Sequence, residues 1–253
     1  MKMDISDKIK QIKDYAKNAE GLQKNSLVYE PFLRDLKVRL SWNSNAIEGN
    51  TLSLDETIAV IEYDEVHSGH TYTEYQEAKN MYRAVTEKLD MTGKKIPDIE
   101  WIKSVNATII DSDGEFRNKD VYIGSLAEVV YYPPKYTEVP GLMRKFLDRS
   151  WLGIGITEET ITEIAKTHIE FERIHPFADG NGRTGRMLMN QQLLNAGMFP
   201  AIIKDQSKYR QAFRRYERSG EISLMNYVIA EGILETYKKL EMISRNYLDS
   251  FRR

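Results

Sequence analysis

The segment from His175 to Arg186, HPFADGNGRTGR, limits what this chain can fold into more than any other part of the sequence. Its first half cannot form regular structure, because Pro176, Gly180 and Gly182 lie within seven residues. Its second half runs into apolar residues at helical spacing between Met187 and Leu194. The pattern predicts a glycine-rich turn that opens a helix.

This turn has the composition of a phosphate site. A turn that feeds a helix start presents free N–H groups at the positive end of the helix dipole. Arg183 and Arg186 are three residues apart and project from nearly the same side of the first helical turn, so a polyphosphate suits them better than one carboxylate. Asp179 is the kind of ligand that Mg²⁺ takes beside phosphates, and a neutral His175 can take the proton of an attacking hydroxyl.

The same segment resembles the signature of the Fic (Fido) family, HPFx(D/E)GN(G/K)RxxR, at every defined position. The residues before it, 168–174, resemble the lead-in helix of that family, and the resemblance covers roughly residues 71–215. It implies an all-α, Fic-type helical domain with a short β-hairpin flap over the active site. It also implies an enzyme, a nucleotidyltransferase that moves AMP from Mg-ATP to a Ser, Thr or Tyr hydroxyl of a target protein.

The resemblance assigns roles to single residues. It implies that His175 is the general base, that Asp179 holds Mg²⁺ and that Phe177 anchors the loop in the core. Asn181 is expected at the α-phosphate and Arg186 at the γ-phosphate, with Tyr209 lining the adenine pocket. The full set of expected nucleotide ligands is Gly180, Asn181, Gly182, Arg183, Arg186 and Tyr209.

A hairpin interrupts the helical trend. The residues between Phe116 and Tyr132 are rich in β-formers, broken by Gly124-Ser125 and ended by Pro133-Pro134. In Fic proteins a flap of this kind aligns the target segment by strand pairing. The resemblance therefore implies that Ile123, Gly124 and Ser125 dock the target.

A glutamate near the N-terminal end of the chain stands out for its position. Apolar residues at spacings of three, four and seven, from Leu33 to Ile47, predict a helix that ends at Gly49. Glu48 lies in its final turn, where the helix dipole disfavours a negative charge. The pattern Ser44-x-x-x-Glu48-Gly49 resembles the inhibitory motif of class II Fic proteins. The resemblance implies that Glu48 pairs with Arg186 and blocks the seat of the γ-phosphate.

Three regions are expected in one compact helical chain. Residues 1–70 form an N-terminal helical region with the inhibitory helix at about 30–49, residues 71–215 the Fic core, and residues 216–253 C-terminal helices that pack on it. Capping boxes at Ser53–Glu56 and Thr71–Glu74, and a cap at Asp98, mark helix starts. Further helices are expected over about 184–195 and from Ile222 towards Tyr247.

Charge and composition exclude other classes of function. With 36 basic and 38 acidic residues, the chain has no general field for nucleic acid. The absence of cysteine excludes disulfides, thiolate zinc sites and a cysteine nucleophile. No apolar run reaches the ~18 residues of a membrane span, and the first residues lack a secretory h-region. A cytoplasmic protein is expected.

Three alternatives use the same residues. One is a non-enzymatic nucleotide sensor that Glu48 keeps shut. Another is a Doc-like phosphotransferase, although Doc-type relatives lack the second arginine and Arg186 argues against it. The third is removal of AMP from a target, with Glu48 orienting water. The expected partners are a target protein, which includes the chain itself, and a second copy, because Fic proteins with this layout can dimerise.

Overall fold

The computed structural model describes residues 3–66, 68–124, 129–149 and 155–250. Within them, a two-stranded antiparallel hairpin, β1 (Ile123–Gly124) and β2 (Val129–Tyr131), is followed by a 3₁₀ turn, Tyr136–Glu138. All other regular elements are helices, so the predicted all-α class with a short hairpin is confirmed. The helices are α1 (Ser6–Gln23), α2 (Ser26–Ile47), α3 (Leu54–Tyr63), α4 (Tyr72–Lys88), α5 (Ile99–Ile110), α6 (Val139–Arg149), α7 (Glu158–Ile174), α8 (Asn181–Asn195), α9 (Gln206–Ser219) and α10 (Ser223–Ser250).

The predicted helix caps are confirmed. The Ser53 hydroxyl accepts from the Glu56 N–H at 3.2 Å, and the Glu56 carboxylate accepts from the Ser53 N–H at 2.8 Å. The same reciprocal pair closes the start of α4 between Thr71 and Glu74. Asp98 accepts from the first turn of α5. Local hydrogen bonding therefore sets where these three helices begin.

Two helices begin earlier than the sequence patterns predict. α2 begins at Ser26 rather than near residue 30, because the Asn25 side chain accepts from the Leu27 N–H at 3.1 Å. α8 begins at Asn181 rather than at residue 184, because Gly180 takes a left-handed conformation (φ 74°) that starts the helix directly behind it.

The patterns do not predict α9 at all. It is strongly basic and buries few of its side chains, among them Tyr209 and Ala212. Its apolar residues do recur at helical spacing, but they are few among many charged residues, so the segment resembles an exposed polar stretch. Its cap at Asp205, which accepts from the Lys208 N–H at 2.9 Å, was the available clue.

Helix α8 lies at the centre of the molecule. It packs against α7 and α5, while α2 packs against α4 and α10. Gly185 allows the close approach of α7, since a Cβ there would lie 3.0 Å from Cδ1 of Phe171. One hydrophobic cluster contains buried residues from Ile5 to Leu240. The division of the chain into an N-terminal region, a core and C-terminal helices stays a prediction. None of the helices in the described ranges is long and apolar enough to cross a membrane.

Candidate active site

His175 ends α7 in a left-handed backbone conformation. Its φ is 49°, and its N–H donates to the Phe171 carbonyl at 3.0 Å. A residue with a Cβ rarely adopts this conformation, which costs roughly 1–2 kcal/mol. The surrounding contacts must therefore hold His175 in place.

The turn after His175 is held by Asn181. The Asn181 Oδ1 accepts from the Phe177 N–H at 2.9 Å, and its Nδ2 donates to the Phe177 carbonyl at 2.8 Å. The Phe177 ring is fully buried, with its centroid 5.6 Å from that of Phe116. Because both ends of the Asn181 amide bond to the turn, its backbone N–H is the group that remains for a phosphate.

Helix α5 closes the turn from behind. Asn106 Nδ2 donates to the Asp179 carbonyl at 2.9 Å and to Thr184 Oγ1 at 3.2 Å. A Cβ on Gly180 would lie only 2.7 Å from Cγ2 of Ile110, so both the positive φ and the close contact require glycine here. The first N–H groups of α8 have no carbonyl partner within the helix, an arrangement that suits the binding of an anion.

Arg186 is buried and bound by the end of α2. Its Nε donates to Ser44 Oγ at 2.9 Å, and its Nη2 donates to the Ser44 carbonyl at 2.9 Å and to Glu48 Oε1 at 2.8 Å. A Cβ on Gly182 would collide with that Glu48 oxygen. The carboxylate of Glu48 thus lies directly on the first turn of α8.

The chain after Glu48 is tied to α4. Gly49 has a φ of 101°, and Asn50 Nδ2 then donates to the Glu74 carbonyl at 3.0 Å and to Glu77 Oε2 at 2.9 Å. The Thr51 N–H donates to Glu74 Oε1 at 2.8 Å. These bonds fasten the segment Gly49–Thr51, here called the tether, to the first turns of α4.

Arg183 is bound by a carboxylate that the sequence patterns did not indicate. Its Nη1 donates to Glu77 Oε1 at 2.9 Å, and its Nη2 lies 3.7 Å from Asp179 Oδ1. Glu77 therefore connects the tether to the first arginine of the loop. Its position in α4, 106 residues before Arg183, carries no local signal of this contact.

Part of the predicted site lines one cavity of about 360 Å³. Asp179, Gly180, Asn181 and Arg183 are not among its lining residues. The flap forms one wall through Ile123 and Tyr131, and α9 forms another. The residues that line it are Ile47, Glu48, Ile123, Tyr131, Glu172, Arg173, His175, Gly182, Arg186, Tyr209, Arg210, Phe213, Arg214 and Glu217. The cavity thus brings the predicted base, the end of the phosphate loop and the predicted inhibitory acid together.

A hydrogen bond sets the tautomer of the His175 ring. Its Nδ1 lies 3.3 Å from the Glu172 carbonyl, which can only accept, so Nδ1 carries the proton and Nε2 keeps its lone pair. Burial lowers the pKa of His175, and the positive charge of Arg117 lowers it further. The hydrogen bond to the Glu172 carbonyl and the charges of Glu48 and Asp179 raise this pKa, but the net shift is downward. The imidazole is therefore neutral at neutral pH.

Tyr209 lies beneath Arg186. Its hydroxyl is 2.7 Å from Nε2 of His168, and the Arg186 guanidinium carbon lies 5.9 Å from the centre of its ring. Burial lowers the pKa of His168 to about 3, so that ring is neutral. Tyr209 lines the cavity as predicted for an adenine contact, but its hydroxyl is already bonded.

Glu172 is a buried acid that sequence reasoning missed. Its Oε1 is buried without a hydrogen-bond partner among the described residues. Burial raises the pKa of Glu172 to about 8; Arg186 opposes this and Glu48 reinforces it. Glu48 thus takes the ion pair with Arg186, and Glu172 remains protonated at neutral pH.

The protonation of Glu172 predicts how stability changes with pH. The folded protein keeps this proton up to about pH 8, whereas the unfolded chain releases it near 4.5, so the unfolding free energy falls as pH rises between these values. Glu172→Gln removes this dependence. We expect the variant to gain on the order of a few kcal/mol relative to the wild type between pH 5 and about 8.5.

Urea unfolding at both pH values measures this difference. Glu163→Gln, an exposed substitution on the same helix, is the control and should follow the wild type. If the unfolding free energies of the wild type and Glu172→Gln changed with pH in parallel, Glu172 would not carry a proton in the folded protein.

Asp179 suits Mg²⁺ only in part. Its side chain is 75% exposed, and its Oδ1 accepts from the Gly180 N–H at 2.6 Å. The described residues hold no group of three or more His, Asp or Glu side chains that could bind a metal without help. One reachable carboxylate beside an anion site fits Mg²⁺, which takes its other ligands from phosphates and water.

The flap residues are described in part. Ile123 pairs with Tyr131 across the hairpin and lines the cavity. Gly124 belongs to β1. Ser125, the third predicted docking residue, lies outside the described residues. Target docking stays a prediction, as do the roles of the loop residues and Glu48.

The chain is similar to known proteins over most of its length. A model of the Fic/DOC family matches residues 96–193. Protein adenylyltransferase Fic from Drosophila melanogaster is 33% identical over 192 residues, which cover 72% of this chain and 37% of that protein. The chain therefore spans little more than a third of the length of the curated relatives it matches.

Solved structures have the same fold. A Fic domain containing signaling protein from Bacteroides thetaiotaomicron superposes with a TM-score of 0.80 at 21% identity, over 94% of this chain and 97% of that one. A fragment of Fic-1 from C. elegans gives a TM-score of 0.77 at 22% identity, over 95% of this chain and 72% of that one. At these identities the likeness bears on the fold alone.

Proposed function

Because this chain belongs to the Fic/DOC family, we propose that it transfers AMP from Mg-ATP to a Ser, Thr or Tyr hydroxyl of a target protein. The single observation that carries the proposal is the shared cavity of His175, Gly182 and Arg186. It holds a neutral base beside an anion site in one half-open cavity, which is what transfer from a polyphosphate to a hydroxyl needs.

The chemistry follows from these groups. Nε2 of His175 accepts the proton of the acceptor hydroxyl, and the oxygen bonds to the α-phosphorus of ATP. The bond between that phosphorus and the bridging oxygen breaks, and pyrophosphate leaves. The first N–H groups of α8, with Arg183 and Arg186, bind the phosphates and offset their charge. Mg²⁺, held by Asp179, would neutralise further phosphate charge.

Glu48 restrains this reaction. Arg186 has its Nη2 on the Glu48 carboxylate, and a γ-phosphate oxygen would need the same guanidinium. ATP can enter while Glu48 is in place, but its α-phosphorus is then not in line with the acceptor oxygen. Such a misplacement is costly in rate.

ATP labelled separately at the α- and γ-phosphates tests the reaction. The protein, with Glu48→Gly as the active form, is incubated with Mg²⁺ and cell lysate. We expect protein bands that carry the α-label and none that carry the γ-label. Bands with only the γ-label would instead indicate phosphoryl transfer. ATP binding without any label would make the chain a nucleotide sensor.

A further inference from the structure

Arg117 is a buried cation that bonds to backbone carbonyls. Its side chain is 1% exposed, and no carboxylate in the described ranges lies closer than that of Asp120, whose Oδ1 is 3.8 Å from Nη1. The Asp120 side chain is itself 62% exposed. Burying an arginine without a close counter-charge is unfavourable, so its hydrogen bonds must hold it there.

The guanidinium connects the candidate base to the flap. Its Nε donates to the His175 carbonyl at 2.8 Å. Its Nη1 donates to the Lys119 carbonyl, ahead of β1, at 3.0 Å, and its Nη2 to the Pro134 carbonyl, behind β2. Three planar donors thus reach three different chain segments.

The backbone of Arg117 strengthens the connection. Its N–H donates to the Pro176 carbonyl at 2.9 Å, and its neighbour Phe116 packs on the anchor ring of Phe177. His175 needs such support, because its left-handed conformation is unfavourable for a residue with a Cβ. The rigid fork of arginine fits this task, whereas the single ammonium of lysine cannot reproduce its geometry.

We propose that Arg117 is a positioning residue, whose guanidinium fixes the backbone of His175 and both ends of the flap in one arrangement. The flap would present the acceptor hydroxyl and His175 would take its proton, so Arg117 sets their mutual distance. The kinetic consequence of this inference rests on the proposed function. The pKa of the His175 ring, in contrast, can be measured without any reaction.

Arg117 also acts on the His175 ring through its charge. The positive charge of Arg117 adds to burial in lowering the pKa of His175, whereas Glu48 and Asp179 raise it. Removing the Arg117 charge therefore raises this pKa. A loss of packing would also change the burial of His175, but it would do so whether or not the replacement side chain is charged, so a charged and an uncharged replacement separate the two effects.

Two arginine substitutions separate geometry from charge. Arg117→Gln removes both the fork and the charge, and Arg117→Lys keeps the charge alone. In the Glu48→Gly background we expect kcat for AMP transfer to fall about 10- to 100-fold in both variants, since small displacements of reacting groups are that costly. The KM for ATP should change little, because Asn181 holds the phosphate loop independently.

NMR titration of the histidine rings supplies the second measurement. We expect the pKa of His175 to rise in Arg117→Gln and to stay near the wild-type value in Arg117→Lys. Arg144→Gln, an exposed site on α6, is the matched control. The proposal is overturned if Arg117→Gln behaves like this control in both measurements. If Glu48→Gly transfers no AMP, the proposed function fails, while the titration still decides whether Arg117 acts on His175.

Asp120→Asn keeps the test decisive if the arginine variants do not fold. The substitution is exposed and removes the carboxylate nearest to Arg117, which leaves the arginine charge less screened. We expect the His175 titration to move to lower pH. An unchanged titration, or a shift to higher pH, contradicts the proposal.

Discussion

Replacing Glu48 with glycine is expected to raise the rate of AMP transfer at least about tenfold, including transfer to the chain itself. The substitution removes the carboxylate that accepts from Arg186 Nη2 at 2.8 Å. It also clears the space beside Gly182 where that carboxylate lies. A γ-phosphate oxygen can then bind the guanidinium, and the α-phosphorus can turn towards the acceptor.

Incorporation of α-label per minute measures this gain. Glu65→Gly, an exposed glutamate beyond α3, is the matched control and should not exceed the wild type. Equal rates for the Glu48→Gly variant and the wild type would show that Glu48 does not inhibit AMP transfer. They would leave the transfer reaction itself untouched.

Replacing His175 with alanine in the Glu48→Gly background is expected to lower kcat by at least about 100-fold, the usual contribution of a positioned general base. The variant loses the only imidazole that lines the cavity formed by the described residues. ATP affinity should remain nearly unchanged, because the phosphate loop is held by Asn181 and Asn106 rather than by the His175 ring.

Two measurements separate loss of chemistry from loss of fold. The variant should bind ATP like its parent and melt at a similar temperature. If it still transfers AMP at more than about a tenth of the parent rate, another group removes the proton and His175 is not the base. The neighbouring Glu172 would not be that group at neutral pH, because it already carries a proton.

Local patterns predicted where several helices begin. The capping boxes at Ser53 and Thr71 were predictable because their donors and acceptors lie within one helical turn. The approach of Glu48 to Arg186, across 138 residues, was expected only from resemblance, since no spacing rule encodes a contact so distant in sequence. The geometry now places the two in contact, while the inhibitory consequence remains to be measured.

Other parts of the site had no signal in the sequence. Glu77 and Arg117 are single charged residues in ordinary contexts, and only the packing of α4, the flap and the loop brings them to Arg183 and His175. Glu172 could not be predicted either, because an acid followed directly by an arginine, here Arg173, is typical of a charged surface. Burial, which the sequence does not state, is what distinguishes these residues.

The tether limits how the restraint proposed for Glu48 can be released. Asn50 and Thr51 hold the chain beyond Glu48 to α4, and the Glu48 N–H donates to the Asn45 carbonyl at 3.0 Å. With the main chain fixed on both sides, the simplest escape is rotation of the Glu48 side chain about its own bonds. Rotamer changes of that kind take nanoseconds when the side chain is exposed, as Glu48 is in part. Opening would then leave amide hydrogen exchange in α2 unaltered, and interconversion would be too fast to limit turnover.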